Sequence, residues 1–486
     1  MKKIMKIALA SALLMSACTK DFNEINTNPN ATVSATPESL LAPTIHDIVS
    51  RNANRAERIG NEFMQYTVST IDSREFQRYV IRPSESDYMW RNWYLQLTNI
   101  KDIYANAEIT QQEGYKTYMG ISLILDSWVS SLITDMFGDA PYSEANRGYL
   151  DKNILPKFDR QKDIYSGIFE KLEQANELLA GETTGIPDNL KNLEPLYNGN
   201  ALAWRKFGNS LYLRLLMRVS GKSELNSIAT IHRIAESEKA DYPMFESNEE
   251  SAVLRFTTTA PLTSPFTNWK IQDFNGNKGY SEFFINTMNE WQDPRLPILA
   301  TEYTLSVYSG MQSGYATGNT PERQSTLQAS LQDEPRLGNI MNYAELQFIL
   351  AEAALKGYIN NPVEDYYNKG VENAITFWGA ELPENYVQKE AIAWNDAESM
   401  DEKMDRIFRQ KYFTLFFTDF QSWYEYRRTG FPVLPVGPGL RNNGKMPSRL
   451  NYPINVQTLN RKNYNDAVAA MGGDDINIKV WWDTQD

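Results

Sequence analysis

Apolar side chains recur at spacings of three and four along much of this 486-residue chain, as in Ile164, Ile168, Leu172, Ala175 and Leu179, or Trp204, Phe207, Leu211 and Leu215. An α-helix turns once every 3.6 residues, so this spacing lines one helical face with apolar groups and commits such segments to amphipathic helices around a shared core. The same period runs over residues 39–68, 87–108, 115–137, 341–356, 363–378 and 402–428. It is lost from 247 to 335 and from 430 to 460, where Gly, Pro, Asn, Ser and Thr are dense, and loops with short strands are expected there. Irregular stretches of that length are uncommon in a compact domain unless they carry function.

Charge and rare residues narrow the chemistry. With 48 Lys and Arg against 61 Asp and Glu, the formal charge is −13, and there is no basic block to meet a phosphate backbone, so nucleic acid is a poor partner. A single cysteine, Cys18, forbids an intrachain disulfide or a Cys-based zinc cluster. His46 and His232 are the only histidines, which argues against a histidine-rich metal site, an HExxH helix or a Ser-His catalytic arrangement. Gly221-Lys222-Ser223 looks like the end of a phosphate loop, but Leu216 stands where the first glycine must be, and a helix precedes it instead of a strand. Paired carboxylates for glycoside cleavage stay open, because their separation is a property of the fold, although no pair stands out.

Lys2, Lys3 and Lys6 precede an apolar run from Ile7 to Met15, followed by Ser16, Ala17 and Cys18. This is the pattern of a secretory signal peptide over residues 1–17. Leu14-Met15-Ser16-Ala17-Cys18 is similar to a bacterial lipobox, which implies that Cys18 is alkylated by diacylglycerol and becomes the mature amino terminus. Cleavage there removes three lysines and leaves the protein still more acidic, so acyl chains and not charge would hold it on a membrane. No later stretch is expected to span a bilayer, which needs about 20 apolar residues. Residues 18–38, with an Asn-rich run from Asn23 to Asn30, read as anchor and tether.

Aromatic residues in the irregular segments need a reason. A sugar ring has an apolar C–H face and a rim of hydroxyls, so a flat side chain beneath it and amides, carboxylates or guanidinium groups beside it satisfy both. Tyr79, Trp269, Tyr280 and Tyr315 are the expected stacking residues, with Arg78, Asp273, Asn275 and Asn277 for hydroxyl contacts. Trp90, Tyr94, Trp128, Trp204 and Phe207 lie on helical stripes and are assigned to the core, as is the Trp481-Trp482 pair. Asp273-x-Asn275-x-Asn277 has the oxygen spacing of a calcium loop, but the glycine is Gly279 and the twelfth position is Phe284, so a solvated turn is the better reading.

Several segments taken in order resemble the SusD/RagB family of outer-membrane nutrient-binding lipoproteins of Bacteroidetes, in its SusD-like branch. They are Phe22 to Asn30; Phe137-Gly138-Asp139-Ala140-Pro141-Tyr142; Trp204 to Arg214; Asp293-Pro294-Arg295-Leu296; Tyr343-Ala344-Glu345 with Ala351-Glu352-Ala353; Glu425-Tyr426-Arg427-Arg428-Thr429-Gly430; Leu450-Asn451-Tyr452-Pro453; and Trp481-Trp482-Asp483. Val456 departs from the pattern, which has a Glu there. The resemblance implies a mainly α fold, a scaffold of tetratricopeptide-like helix pairs with a loop-rich ligand portion. Between Met341 and Trp378 the small and large residues fit either such a repeat or generic helical packing. The expected organisation is a helical scaffold over 39–246, a ligand-binding region over 247–335, helical repeats over 336–429 and a closing segment over 430–486, in one compact unit. The resemblance further implies an oligosaccharide ligand and a SusC-like TonB-dependent transporter as partner, with the chain lipid-anchored at the outer membrane and exposed at the cell surface. That the protein binds and does not catalyse, with no cofactor, is also what the resemblance implies. A peptide-binding RagB-type receptor and a secreted glycoside hydrolase are the alternatives.

Overall fold

The computed structural model describes residues 35–182 and 185–484. The signal peptide, Cys18 and the tether as far as residue 34 lie outside that range, and the last two residues assigned to the tether, Pro37 and Glu38, begin the first helix. The principal helices are α1 (Pro37–Arg55), α2 (Ser84–Thr110), α3 (Tyr115–Phe137), α4 (Gln161–Ala180) and α5 (Ala201–Arg218), followed later by α6 (Glu282–Trp291), α7 (Tyr343–Leu355), α8 (Val363–Phe377), α9 (Met400–Thr414), α10 (Gln421–Thr429) and α11 (Arg461–Met471); all but α6 and α11 fall in the segments of helical period. Successive helices pack on one another: α1 on α2, α2 on α3, α3 on α4, α4 on α5, and α7 on α8. This is the helix-pair scaffold of a mainly α, tetratricopeptide-like fold. Strands are few and short. β1 (Thr67–Ser69) pairs antiparallel with β3 (Lys278–Tyr280), and β2 (Ala252–Val253) with β4 (Asn339–Met341).

Helix α3 is long and apolar enough to cross a membrane, contrary to the expectation that no such stretch exists, yet its apolar window is wholly buried. A helix apolar on every face must be surrounded by protein or by lipid, and here α2, α4 and α5 surround it. Small residues allow the close approach. A Cβ on Gly208 of α5 would sit 2.8 Å from Ile124 of α3, and one on Gly370 of α8 would sit 2.6 Å from the Phe348 ring of α7. The late hairpin is therefore joined at the positions where the sequence alternates small and large residues.

Three expectations are corrected. The periodic run 402–428 is two helices, because Phe417 (φ 62°) and Asp419 (φ 37°) turn the chain between them. Phe416, Phe417 and Phe420 are all buried at that turn. The run 39–68 is also broken, by a π-helical turn at Ala56–Gly60. Conversely, the irregular regions contain α6 and, at Ile454–Leu459, a short helix. In α6, Ser281 caps the first turn, its Oγ accepting from Phe284 N at 3.0 Å, and Phe284, Ile285, Met288 and Trp291 are buried.

Buried charges join the two halves of the scaffold. Arg218 of α5 donates from Nη1 to Asp135 Oδ2 of α3 (2.7 Å), from Nη2 to Gln421 Oε1 (2.8 Å) and from Nε to Glu425 Oε1 (3.2 Å) of α10. Glu425 also accepts from Lys411 (2.8 Å) and Arg428 (2.7 Å), and Arg428 continues to Glu352 of α7 at 2.6 and 2.7 Å. Nearby, Arg214 makes a bidentate pair with Glu345, at 2.8 and 2.5 Å. Burial alone would raise the Glu425 carboxyl, but Arg428, Lys411 and Arg218 outweigh it and hold that carboxyl well below the usual carboxylate range. The same contest, won by Arg428 and Lys356, lowers Glu352.

Removing one partner of a buried ion pair leaves an uncompensated charge, which costs about 3–5 kcal/mol. Arg218→Met should therefore lose about that much unfolding free energy in urea titrations, since it takes from the buried Asp135 carboxylate its charged side-chain donor, while Glu425 keeps Lys411 and Arg428. The acid dependence has a definite sign. A carboxyl held below its unfolded value of about 4.3 stabilises fully above that pH and loses its contribution as the pH falls toward its folded value. The stability gap between the native chain and Glu425→Gln should accordingly shrink between about pH 5 and pH 3, as read by urea unfolding at each pH.

Candidate functional site

The loops of 257–335 and the segment between β1 and α2 fold together on the side of β1 and β3. The backbone N–H of Thr70 donates to Asn277 O at 2.8 Å, which ties the strand end of β1 to the turn before β3. Arg323 Nη1 donates to Gly276 O (2.7 Å), Asn275 Nδ2 to Leu327 O (3.0 Å) and Gln332 Nε2 to Trp269 O (3.0 Å). These bonds hold a π-helical turn, Gln272–Gly276, against the 316–332 loop.

Four of the eight expected contact residues turn out to be internal supports. Tyr280 is fully buried, stacked on Phe284 with ring centres 4.5 Å apart, and its hydroxyl donates to Leu299 O at 2.9 Å. Tyr315 is 1% exposed, and its hydroxyl donates to Ser69 O at 2.9 Å. Arg78 is 0% exposed; its guanidinium lies 4.7 Å from the Tyr315 ring centre, donates to Tyr315 O at 2.8 Å, and pairs with Asp72. Tyr79 is buried, edge-on to Phe63 at 6.4 Å, and burial pushes its hydroxyl up to about 12. Such groups have no face left for a ligand. A large ring in a loop still buries 150–250 Å² more favourably against a core than in water, and these loops are wide enough to supply that core.

The other four stay near the surface. Trp269 is half-buried, one side of its indole against Phe266 with centroids 5.2 Å apart. Asp273 is exposed, while Asn275 and Asn277 are half-buried. Asn275 spends its amide on Leu327 O and so helps hold the turn. The calcium-like spacing of Asp273, Asn275 and Asn277 thus lies on the π-helical turn and its edge.

Sequence reasoning missed the neighbours that complete this face. Asp72 lies two residues beyond the Thr70 contact, its carboxylate accepting from Gly318 N at 3.2 Å. Arg323 is exposed beside Gly276, and the exposed Tyr303 donates to Glu322 Oε1 at 3.3 Å. Tyr303 is an aromatic of the irregular 247–335 stretch and is legible as such; Asp72 and Arg323 belong to no periodic pattern and only folding brings them in. Along these bonded loops the surface therefore offers a half-buried indole, carboxylates, amides and a guanidinium. That set can stack on a ring and exchange hydrogen bonds with hydroxyls.

Residues 29–453 match the family model for SusD-like proteins, described as starch-binding and associating with the outer membrane. A chitin-binding protein of known structure is 25% identical, with a TM-score of 0.79 over 92% of this chain and 100% of its own. A SusD homologue from Bacteroides fragilis is 24% identical, with a TM-score of 0.77 over 93% of this chain and 100% of its own. A chitin-binding SusD homologue from Flavobacterium johnsoniae, at 19% identity, superposes with a TM-score of 0.78 over 93% of this chain and 99% of its own. No curated protein matches the chain.

Proposed function

The chain belongs to the SusD-like family, and on that premise we propose that it is a cell-surface lipoprotein that binds oligosaccharide nutrients and passes them to a SusC-like TonB-dependent transporter. The observation that carries the reading is the surface set of Trp269, Asp273 and Asn277 with Asp72, Tyr303 and Arg323, built on loops that Arg78, Tyr280 and Tyr315 hold from within. Its groups suit a neutral, hydroxylated, ring-shaped ligand. A half-buried indole provides apolar contact at low entropy cost, and several weak polar contacts around it provide selectivity without chemistry. The protein's role ends at capture; uptake draws its energy from the transporter. The two chitin-binding relatives and the family description make chitooligosaccharides and starch oligosaccharides the first ligands to try.

The lipobox-like Leu14-Met15-Ser16-Ala17-Cys18 supplies the anchor. Two or more acyl chains on one cysteine hold a protein stably at a bilayer where a single chain does not. Replacing Cys18 by Ala should move the protein from the outer-membrane fraction to the soluble fraction of the host cell, as followed by immunoblotting.

Calorimetry across a library of oligosaccharides tests the ligand. Binding of at least one glycan is expected, and Trp269→Ala should weaken it about tenfold, the equivalent of about 1.4 kcal/mol. Binding to peptides with none to glycans would transfer the protein to the peptide-receptor class, and steady release of reducing ends from a bound polysaccharide would make it a hydrolase.

A further inference from the structure

Away from the loop face, α2 borders a groove of about 420 Å³ that shares none of the residues discussed above as ligand contacts. Trp90 and Tyr94, assigned to the core from their helical stripe, are only half-buried and line it. Their rings meet at 4.9 Å, and Phe158 lies 6.2 Å from Trp90 at an interplanar angle of 30°, so the three rings form an aromatic floor. The opposite wall comes from the chain after Pro453 and includes Val456, at the position where the family resemblance leads one to expect Glu. Asn460 Nδ2 donates to Pro156 O (2.7 Å) and Asn463 Nδ2 to Leu155 O (2.9 Å), which fixes one wall to the other.

One polar group in this groove is incomplete. Asn146 Nδ2 donates to Tyr94 O (2.8 Å) and to Thr98 Oγ1 (2.7 Å), which leaves its side-chain oxygen buried with no hydrogen-bond donor. A buried acceptor without a partner costs about 1–3 kcal/mol, so the site favours a ligand that brings an N–H or O–H to it. The groove carries an apolar share, Pro141, Pro156, Val456 and Leu459, and a polar share, Asp87, Arg91, Asn455 and Asn460. A plain hexose could meet the polar share through its hydroxyls but brings no apolar group to the prolines, Val456 and Leu459. An acetamido substituent avoids this, because it pairs one N–H with a methyl group.

We propose that this groove is a second carbohydrate site, taking one N-acetylated amino sugar residue. The C–H face of the ring would lie on Trp90, the amide N–H would donate to Asn146 Oδ1, and the acetyl methyl would pack against the prolines. The inference rests on the reading of the chain as a glycan binder but on different residues, so the two can fail separately.

The experiment is calorimetry on the full chain with di-N-acetylchitobiose, and with cellobiose as the analogue lacking the acetamido groups. Trp269→Ala weakens the loop face, and in that background chitobiose binding should persist while cellobiose binding falls about tenfold. Asn146→Gly, tolerated because Asn146 has φ 62°, and Val456→Trp, which fills the groove from a half-buried position, should each weaken the remaining chitobiose binding at least tenfold. Thermal melts confirm that both variants fold, and Val456→Trp alone suffices if Asn146→Gly does not. Chitobiose binding abolished by Trp269→Ala, or unaffected by both groove variants, overturns the second site and leaves the loop-face reading intact. Equal binding of cellobiose overturns the assignment to an N-acetylated sugar. A groove variant that blocks association with another protein, with sugar binding unchanged, makes the groove a protein contact. A native chain that binds no glycan at all overturns both readings.

Discussion

Arg218 holds the scaffold together through one guanidinium that faces three helices at once. It donates to Asp135 of α3 and to Gln421 and Glu425 of α10, while rooted in α5, so residues 83 to 207 positions apart in sequence meet at a single charge. A buried charge is costly unless every partner is in place, and the network supplies them: Lys411 and Arg428 close on Glu425, and Arg428 closes on Glu352. Trp482 Nε1 donates to Asp135 Oδ1 at 2.7 Å and the Tyr165 hydroxyl donates to the same oxygen at 2.6 Å, which brings the end of the chain and α4 into the same cluster. Apolar packing would tolerate sliding of one helix pair on the next; this arrangement tolerates one register.

The segments that made the chain recognisable are largely the members of such contacts. Arg214, from the Trp204–Arg214 segment, pairs with Glu345 of Tyr343-Ala344-Glu345. Arg428 of the Glu425–Gly430 segment pairs with Glu352 of Ala351-Glu352-Ala353. The Tyr452 hydroxyl donates to Asp139 O at 2.5 Å, joining Leu450–Pro453 to the Phe137–Tyr142 segment, and Arg295 pairs with Asp293 within Asp293–Leu296. Motifs of this kind specify a scaffold. They say little about a ligand, since their side chains are spent on one another.

On the ligand side, the loops repeat the same economy in another form. Arg78, Tyr280 and Tyr315 look like binding residues because aromatic and guanidinium groups are what a sugar needs, but those groups also serve to give a wide loop its own small core. Their burial sets the position of Asp72, Trp269 and Asn277 at the surface. Trp90 and Tyr94 show the reverse error: a helical stripe places them correctly on α2, yet the partner that would bury them is a groove wall set back from their rings.

Helical period, charge balance, the lone Cys18 and the order of the motifs determined class and family from sequence, because each is local or concerns residues that must pair within a helix turn. The turn at Phe417 and Asp419 and the exposure of individual aromatics were settled by tertiary structure. Burial is a property of what arrives from elsewhere in the chain: Tyr315 is covered because Arg78 reaches it from 237 residues away, and Asn146 lacks a donor because the chain after Pro453 brings Val456 and Leu459 to that groove and no hydrogen-bonding group to its side-chain oxygen. No spacing along the chain encodes such distances, since they depend on how several helices and loops close at once.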